Sequence, residues 1–131
     1  MECPSEDGKL VGENSITQAM NNCVLKESYR TSKGFAGESF NIFDKTTGKW
    51  HQTWVDNSGM LLQLDGGLVE QTNNKQAMVL QGKMIDSKGK QQVHRITWQP
   101  QVDGSVHQVW DMSEDNGANW KNLFYGIYKK K

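Results

Sequence analysis

The stretch KWHQTWVD, Lys49 to Asp56, decides how this chain folds. Trp50, Gln52 and Trp54 fall on one side of a two-residue alternation, and His51, Thr53 and Val55 on the other. Successive side chains of a β-strand point to opposite faces, so this rhythm reads as a strand and not as a helix. SVHQVWDM (105–112) repeats the device, with Val106, Gln108, Trp110 and Met112 opposing Ser105, His107, Val109 and Asp111. AMVLQGKMI (77–85) groups Met78, Leu80, Gly82 and Met84. VHRITW (93–98) is less clean, setting His94, Ile96 and Trp98 against Val93, Arg95 and Thr97. SFNIF and NLFYGIY are apolar on both faces, as expected of strands packed on each side.

Turns punctuate these segments. Thirteen glycines against only two prolines suit strands joined by tight corners. Most corners carry an Asp or Asn before a Gly: Asp44…Gly48, Asp56…Gly59, Asp65-Gly66, Asp86…Gly89, Asp103-Gly104 and Asp115…Gly117, with Asn73-Asn74 as one more. Gly and Asn tolerate positive φ, and an Asp carboxylate accepts from backbone amides two residues on. The spacing predicts strands at 23–30, 36–44, 49–56, 60–65, 67–72, 76–86, 90–98, 105–112 and 119–129. Residues 8–19 fit either a Ser15/Gln18 capping box or, better, a strand paired with 23–30 through Asn21-Asn22. Short connections force antiparallel neighbours, and an up-and-down meander of this length removes its edges by closing. The expected fold is therefore all-β: a single antiparallel up-and-down barrel covering residues 1–131.

Composition excludes several functions. Fifteen basic and fifteen acidic residues cancel, leaving no net charge to neutralise phosphates, so nucleic acid is not an expected partner. The KKK cluster at 129–131 reads as a solvated tail. No run of eighteen apolar residues spans a membrane. The start, MECPSEDGKL, carries no apolar signal core, which leaves a cytosolic chain or an exported one whose leader has been removed. Cys3 and Cys23 lack the C-x-x-C spacing of a metal or redox site. A disulfide between them would close a loop of about twenty residues and add about 3 kcal/mol; two free thiols are the alternative.

SEDNGANW (113–120) fits S-x-D-x-G-x-x-W, the Asp-box spacing found on sialidase propeller blades. Every residue of the pattern has a structural role. Ser113 and Asp115 bond the turn, Gly117 makes the corner and Trp120 packs across the hairpin. A propeller blade alone needs about 40–50 residues, and a sialidase needs an arginine cluster, whereas this chain has only Arg30 and Arg95. The motif is read as a hairpin staple. Among the carboxylates, the turn aspartates are capping groups. Glu27 and Glu38 lie within strands, where the outer face is the default place for Glu. His51, His94 and His107 occupy three separate strands, but the alternation turns His51 and His107 outward and only His94 inward, so no metal site is expected. No cofactor is expected either.

The most informative pattern is polarity among bulk. WHQTW and VHQVW each place a Gln on the same side as large apolar residues. A buried Gln needs partners or costs about 1–3 kcal/mol, and Arg95 and Tyr125 lie mid-strand where they could supply them. A hollow lined by Gln52, Trp54, Met78, Arg95, Gln108, Trp110 and Tyr125 would be part apolar and part hydrogen-bonding, as ligand cavities are. A packed core with satisfied Gln side chains and an exposed Arg95 is the alternative.

Three stretches, NCVLKESY (22–29), SFNIFDKTTGKWHQTWVDNSGMLLQLDGGL (39–68) and RITWQPQVDGSVHQVWDMSEDNGANWKNLFYGIY (95–128), resemble a bacterial family related to the DUF1579 type. The resemblance implies a calycin-like, that is lipocalin-like, barrel and no particular reaction. Members of that family often carry a further strand with FW-G-W ahead of the point where this chain starts, so the resemblance implies a barrel incomplete at one edge or sealed by another segment or subunit. Many relatives are exported, which weighs toward the Cys3–Cys23 bridge.

The expected function is non-enzymatic binding of one small apolar or amphiphilic ligand. Two rivals stand beside it. One is an interaction protein dimerising along an open sheet edge through Phe124 and Tyr128. The other is a hydrolase-type enzyme with His94 or Glu27 as acid or base.

Overall fold

A computed structural model describes residues 2–4, 10–72 and 75–130, with side chains from residue 12 onward. A three-residue strand, β1 (Glu2–Pro4), precedes nine long ones: β2 (Leu10–Ala19), β3 (Val24–Arg30), β4 (Ala36–Asp44), β5 (Lys49–Asp56), β6 (Leu61–Glu70), β7 (Gln76–Ile85), β8 (Gln91–Pro100), β9 (Val106–Ser113) and β10 (Lys121–Tyr128). They form one sheet in chain order, and every neighbouring pair is antiparallel. The sheet curls until β1 lies near β10, with no continuous ladder between them among the described residues, so its edges stay open there. No α-helix occurs among those residues, and hence none long and apolar enough to cross a membrane.

The aspartate turns work by a common device. Asp44 Oδ1 accepts from Thr46 N at 2.9 Å, Asp56 Oδ1 from Ser58 N at 2.8 Å, Asp86 Oδ1 from Lys88 N at 2.9 Å and Asp103 Oδ1 from Ser105 N at 2.9 Å. Each is an Asx turn, in which the carboxylate replaces a backbone acceptor. The β2–β3 turn instead uses three successive left-handed residues, Met20, Asn21 and Asn22, at φ 52°, 56° and 67°.

One predicted corner is absent. Asp65-Gly66 does not end a strand; β6 runs straight through it, so the expected strands 60–65 and 67–72 are a single element. Gly66 faces the interior, where an added Cβ would lie 1.9 Å from the Val79 carbonyl oxygen. Gly82 on β7 meets the Gln63 carbonyl oxygen in the same way, at 2.0 Å. These glycines permit the close backbone approach that lets adjoining strands bend into a curved wall.

Register fixes the inner face. One row runs Leu25, Asn41, Gln52, Leu64 across β3 to β6. Another runs Phe43, Trp50, Gly66, Leu80, Ile96, Trp110, Phe124 across β4 to β10. Leu62, Leu64, Leu80 and Ile96 form the buried nucleus, with Trp50, Trp54, Met78, Trp98 and Trp110 packed against it. Burying side chains of this size stabilises by about 1.5–3 kcal/mol each relative to exposure.

The same meander places the two cysteines apart. The Cys3 side chain lies outside the described residues, but its backbone pairs with Gly12, whereas Cys23 follows the opposite end of β2, where Ala19 pairs with Val24. Seven residues of strand separate Gly12 from Ala19, roughly 23 Å at 3.3 Å per residue. A disulfide needs Cα atoms within about 7 Å. The possible Cys3–Cys23 bridge is therefore corrected in favour of its alternative: Cys23 is a free, exposed thiol.

Candidate functional site

Two cavities occupy the space inside the curled sheet. One, of about 90 Å³, lies among residues including Tyr29, Trp54, Leu62, Gln108, Trp110 and Tyr128. The other, of about 200 Å³, lies among residues including Ile16, Leu25, Trp50, Met78, Leu80 and Trp98. Glu27 and Gln52 line both, so the two spaces abut at this pair. Ile16, on the wall of the larger one, is 45 % exposed, which brings that cavity to the surface. Together they approach the roughly 300 Å³ at which small-molecule pockets begin.

Where the cavities meet, the wall is polar. Glu27 Oε1 accepts from Ser39 Oγ at 2.8 Å and Oε2 accepts from Asn14 Nδ2 at 2.7 Å. Ser39 Oγ in turn accepts from Asn41 Nδ2 at 2.9 Å and from Gln52 Nε2 at 3.3 Å. Asn14, Glu27, Ser39 and Gln52 are all buried. Burial pushes the Glu27 carboxyl above its ordinary range, against the opposing pull of Ser39 and Asn14. Removing a carboxylate from water penalises its charged form, while hydrogen bonds to it restore part of the loss. The network orders Gln52. A hydroxyl has one proton, and Ser39 gives it to Glu27, so the Gln52 amide must donate to Ser39. Gln52 Oε1 is then left buried without a donor, on a side chain only 2 % exposed.

His94, too, is buried, at 1 % exposure. Its Nδ1 accepts from Trp110 Nε1 at 2.9 Å, and its Nε2 donates to Gln92 Oε1 at 2.9 Å. Both ring nitrogens are used, which fixes a neutral tautomer, and burial holds its pKa below the ordinary value. With no free nitrogen His94 is occupied as a structural bridge. His51, at the rim of the larger cavity, bonds Asp65 and Thr53, and His107 bonds Tyr125 on the outer face. Among the described residues no group of three His, Cys, Asp or Glu could share a metal ion.

The register brings five of the seven residues expected to line the hollow to it: Gln52, Trp54, Gln108 and Trp110 at the smaller cavity, and Met78, with Gln52 again, at the larger. Two are corrected. Arg95 points outward: its guanidinium lies 3.9 Å over the Trp120 ring and Nη2 lies 3.4 Å from Asp111 Oδ2. Its parity is opposite to that of His94 and Ile96, and an unpaired inner guanidinium would forfeit hydration. Tyr125 is 43 % exposed and contacts His107 Nδ1 at 3.0 Å, because its inner-facing neighbours are Phe124 and Gly126. Phe124 and Tyr128, on the terminal strand β10, line the smaller cavity.

Asn14, Ser39 and Asn41 join the site without having been expected there, and Glu27, expected there only as the acid or base of the rival hydrolase reading, joins as a member of the polar wall. Glu27 shares its parity with Leu25 and Tyr29, and that is the signal the sequence offers. β4 hides the rest by being inverted: Ser39 and Asn41 face inward while Phe40 and Ile42 are exposed outside.

The Asp-box stretch is self-contained. Asp115 Oδ1 accepts from Ser113 Oγ and Asn119 N, both at 2.7 Å, and Oδ2 accepts from Asn119 Nδ2 at 2.7 Å. Bonds from Asn119 first, and then Ser113, hold the Asp115 carboxyl down to about 2. Gly117 sits at φ 94° and donates to Ser113 Oγ at 2.8 Å. Trp120 faces Arg95 on the outer surface, away from both cavities.

The chain matches no family model, no curated protein and no solved structure. What it does has to be read from its own residues.

Proposed function

We propose that this protein binds one small amphiphilic molecule inside the curled sheet and performs no chemistry on it. The supporting observation is the junction of two aromatic-walled cavities at Glu27 and Gln52, both buried and one with a spare acceptor. Apolar contact area comes from Trp54 and Trp110 on one side and from Trp50, Met78 and Trp98 on the other. A few polar groups in an apolar hollow orient a ligand without requiring a reaction. The arrangement is in keeping with a lipocalin-like member of the DUF1579-related family. Against hydrolysis, His94 has both nitrogens engaged in protein hydrogen bonds, and the two Glu27 oxygens are bonded to Asn14 and Ser39 within the wall itself.

Titration with a neutral naphthylamine fluorophore tests the reading. Saturable binding of one equivalent is expected, weakened on the order of tenfold by Met78→Trp, which fills the larger cavity. A folded protein that never saturates with the probe would end it.

A further inference from the structure

The charge and hydrogen-bond character of the junction narrows the class of ligand, on the premise that the interior binds one. No Lys or Arg lines either cavity, and none is buried among the described residues. Arg95, the cation closest in sequence to the inner positions of β8, is held outside by Asp111 and Trp120. An anionic head group placed at the junction would meet a carboxylate and a carbonyl oxygen with no cation to balance it. A buried uncompensated charge is among the most costly arrangements in a protein. The polar atoms that the junction offers are acceptors: the remaining lone pairs of Glu27 and the spare Gln52 Oε1. Around them stand the rings of Trp50, Trp54, Trp98 and Trp110. Aromatic faces attract cations through the ring quadrupole, and they do so more strongly when water is excluded.

We infer that the cavity takes an organic ammonium compound, its N–H groups donating to the Glu27 carboxylate and Gln52 Oε1 and its apolar chain lying against the tryptophan walls. An ammonium has three donors and no acceptor, the complement of what this junction presents. It also supplies the positive charge that a buried carboxylate lacks. Protonation of Glu27 removes both features. It abolishes the negative charge, and it frees Ser39 to turn its proton toward Gln52, so that the amide can reverse and consume Oε1. The groups facing Glu27 are Asn14 from β2, Ser39 and Asn41 from β4 and Gln52 from β5. The titratable side chains on the same cavities are Tyr29, Tyr128 and His51. The ammonium pairs with the ionised carboxylate, so where Glu27 is protonated its binding expels that proton to solvent.

The test compares three probes of equal chain length, n-octylammonium, n-octanol and octanoate, by tryptophan fluorescence and calorimetry on the intact chain at pH 8. Octylammonium is expected to bind on the order of tenfold tighter than octanol, with octanoate weakest. Glu27→Gln is expected to erase the order. A second arm needs no variant: at a pH where Glu27 is partly protonated, octylammonium binding to the unaltered protein releases a proton, read as a dependence of binding heat on the buffer's ionisation enthalpy. Gln52→Met, which keeps the bulk, weakens octylammonium and spares octanol. Equal or tighter binding of octanoate or octanol, or no proton release, overturns the ammonium inference while interior binding stands. If none of the three probes binds, both fall.

Discussion

The two walls of this interior are built on opposite principles. From β6 to β8 the inner face is Leu62, Leu64, Leu80 and Ile96, a packed nucleus of the sort that drives folding. From β2 to β5 it carries Asn14, Glu27, Ser39, Asn41 and Gln52, joined by hydrogen bonds, with the Gln52 Oε1 acceptor left without a donor. Replacing a satisfied polar cluster by apolar groups of the same shape is often neutral or stabilising. The polar wall is therefore poorly explained by stability, whereas the apolar wall is explained by little else. The proposed binding role rests on that difference between the walls.

The largest expected difference between the walls is in core truncation. Leu64, at 0 % exposure, should cost about 3 kcal/mol on change to Ala, from lost transfer energy and the cavity left behind. Ser39→Ala on the opposite wall removes one donor to Glu27 and should cost about half as much. Urea unfolding midpoints at constant m compare them, and equal losses would dissolve the distinction.

A second, smaller contrast lies in pH. Glu27 has a raised carboxyl. Between the ordinary glutamate value of 4.5 and its own, the folded chain keeps a proton that the unfolded chain has released, so rising pH through that window lowers stability. His94 has a depressed imidazole, so the unfolded chain takes up a proton that the folded one refuses. Falling pH, from about 6.5 down to the folded value, therefore lowers stability. Stability profiles from about pH 4 to 8 should lose the first slope in Glu27→Gln and the second in His94→Leu. If either variant keeps the slope assigned to it, that assignment fails.

The smallest effect separates inside from outside. Arg95→Ala removes a partly exposed ring contact and ion pair and should cost about 0.5–1 kcal/mol. It should leave probe affinity unchanged by fluorescence titration, since the side chain touches neither cavity. A large loss of binding would put Arg95 back among the functional groups.

Much of the architecture is legible residue by residue. The alternation in KWHQTWVD and SVHQVWDM places Trp54, Gln52, Trp110 and Gln108 on the inner face, because a strand has only two faces and a period of two. The aspartate corners at Asp44, Asp56, Asp86 and Asp103 are legible as well, because an Asx turn is a local hydrogen bond. The inward place of Glu27 is not, because burial of a charge depends on partners from β2 and β4 that lie 13 and 12 residues away in the chain. Nor is the straight run through Asp65-Gly66, because a glycine that turns a chain and one that admits a neighbouring backbone have the same local sequence.

By itself, then, the sequence determined the strands, most of their corners and their antiparallel order, all consequences of short-range sterics and hydrogen bonding. Only the tertiary structure decided which face of β4 is the inside, where Arg95 and Tyr125 point, that Cys3 and Cys23 stand at opposite ends of a strand, and that a carboxylate sits buried beside a spare acceptor. Each of these depends on how far the sheet curls and which rows it brings face to face. Curvature is a property of the whole sheet, set by packing and by close approaches such as those at Gly66 and Gly82, and no single stretch of residues encodes it.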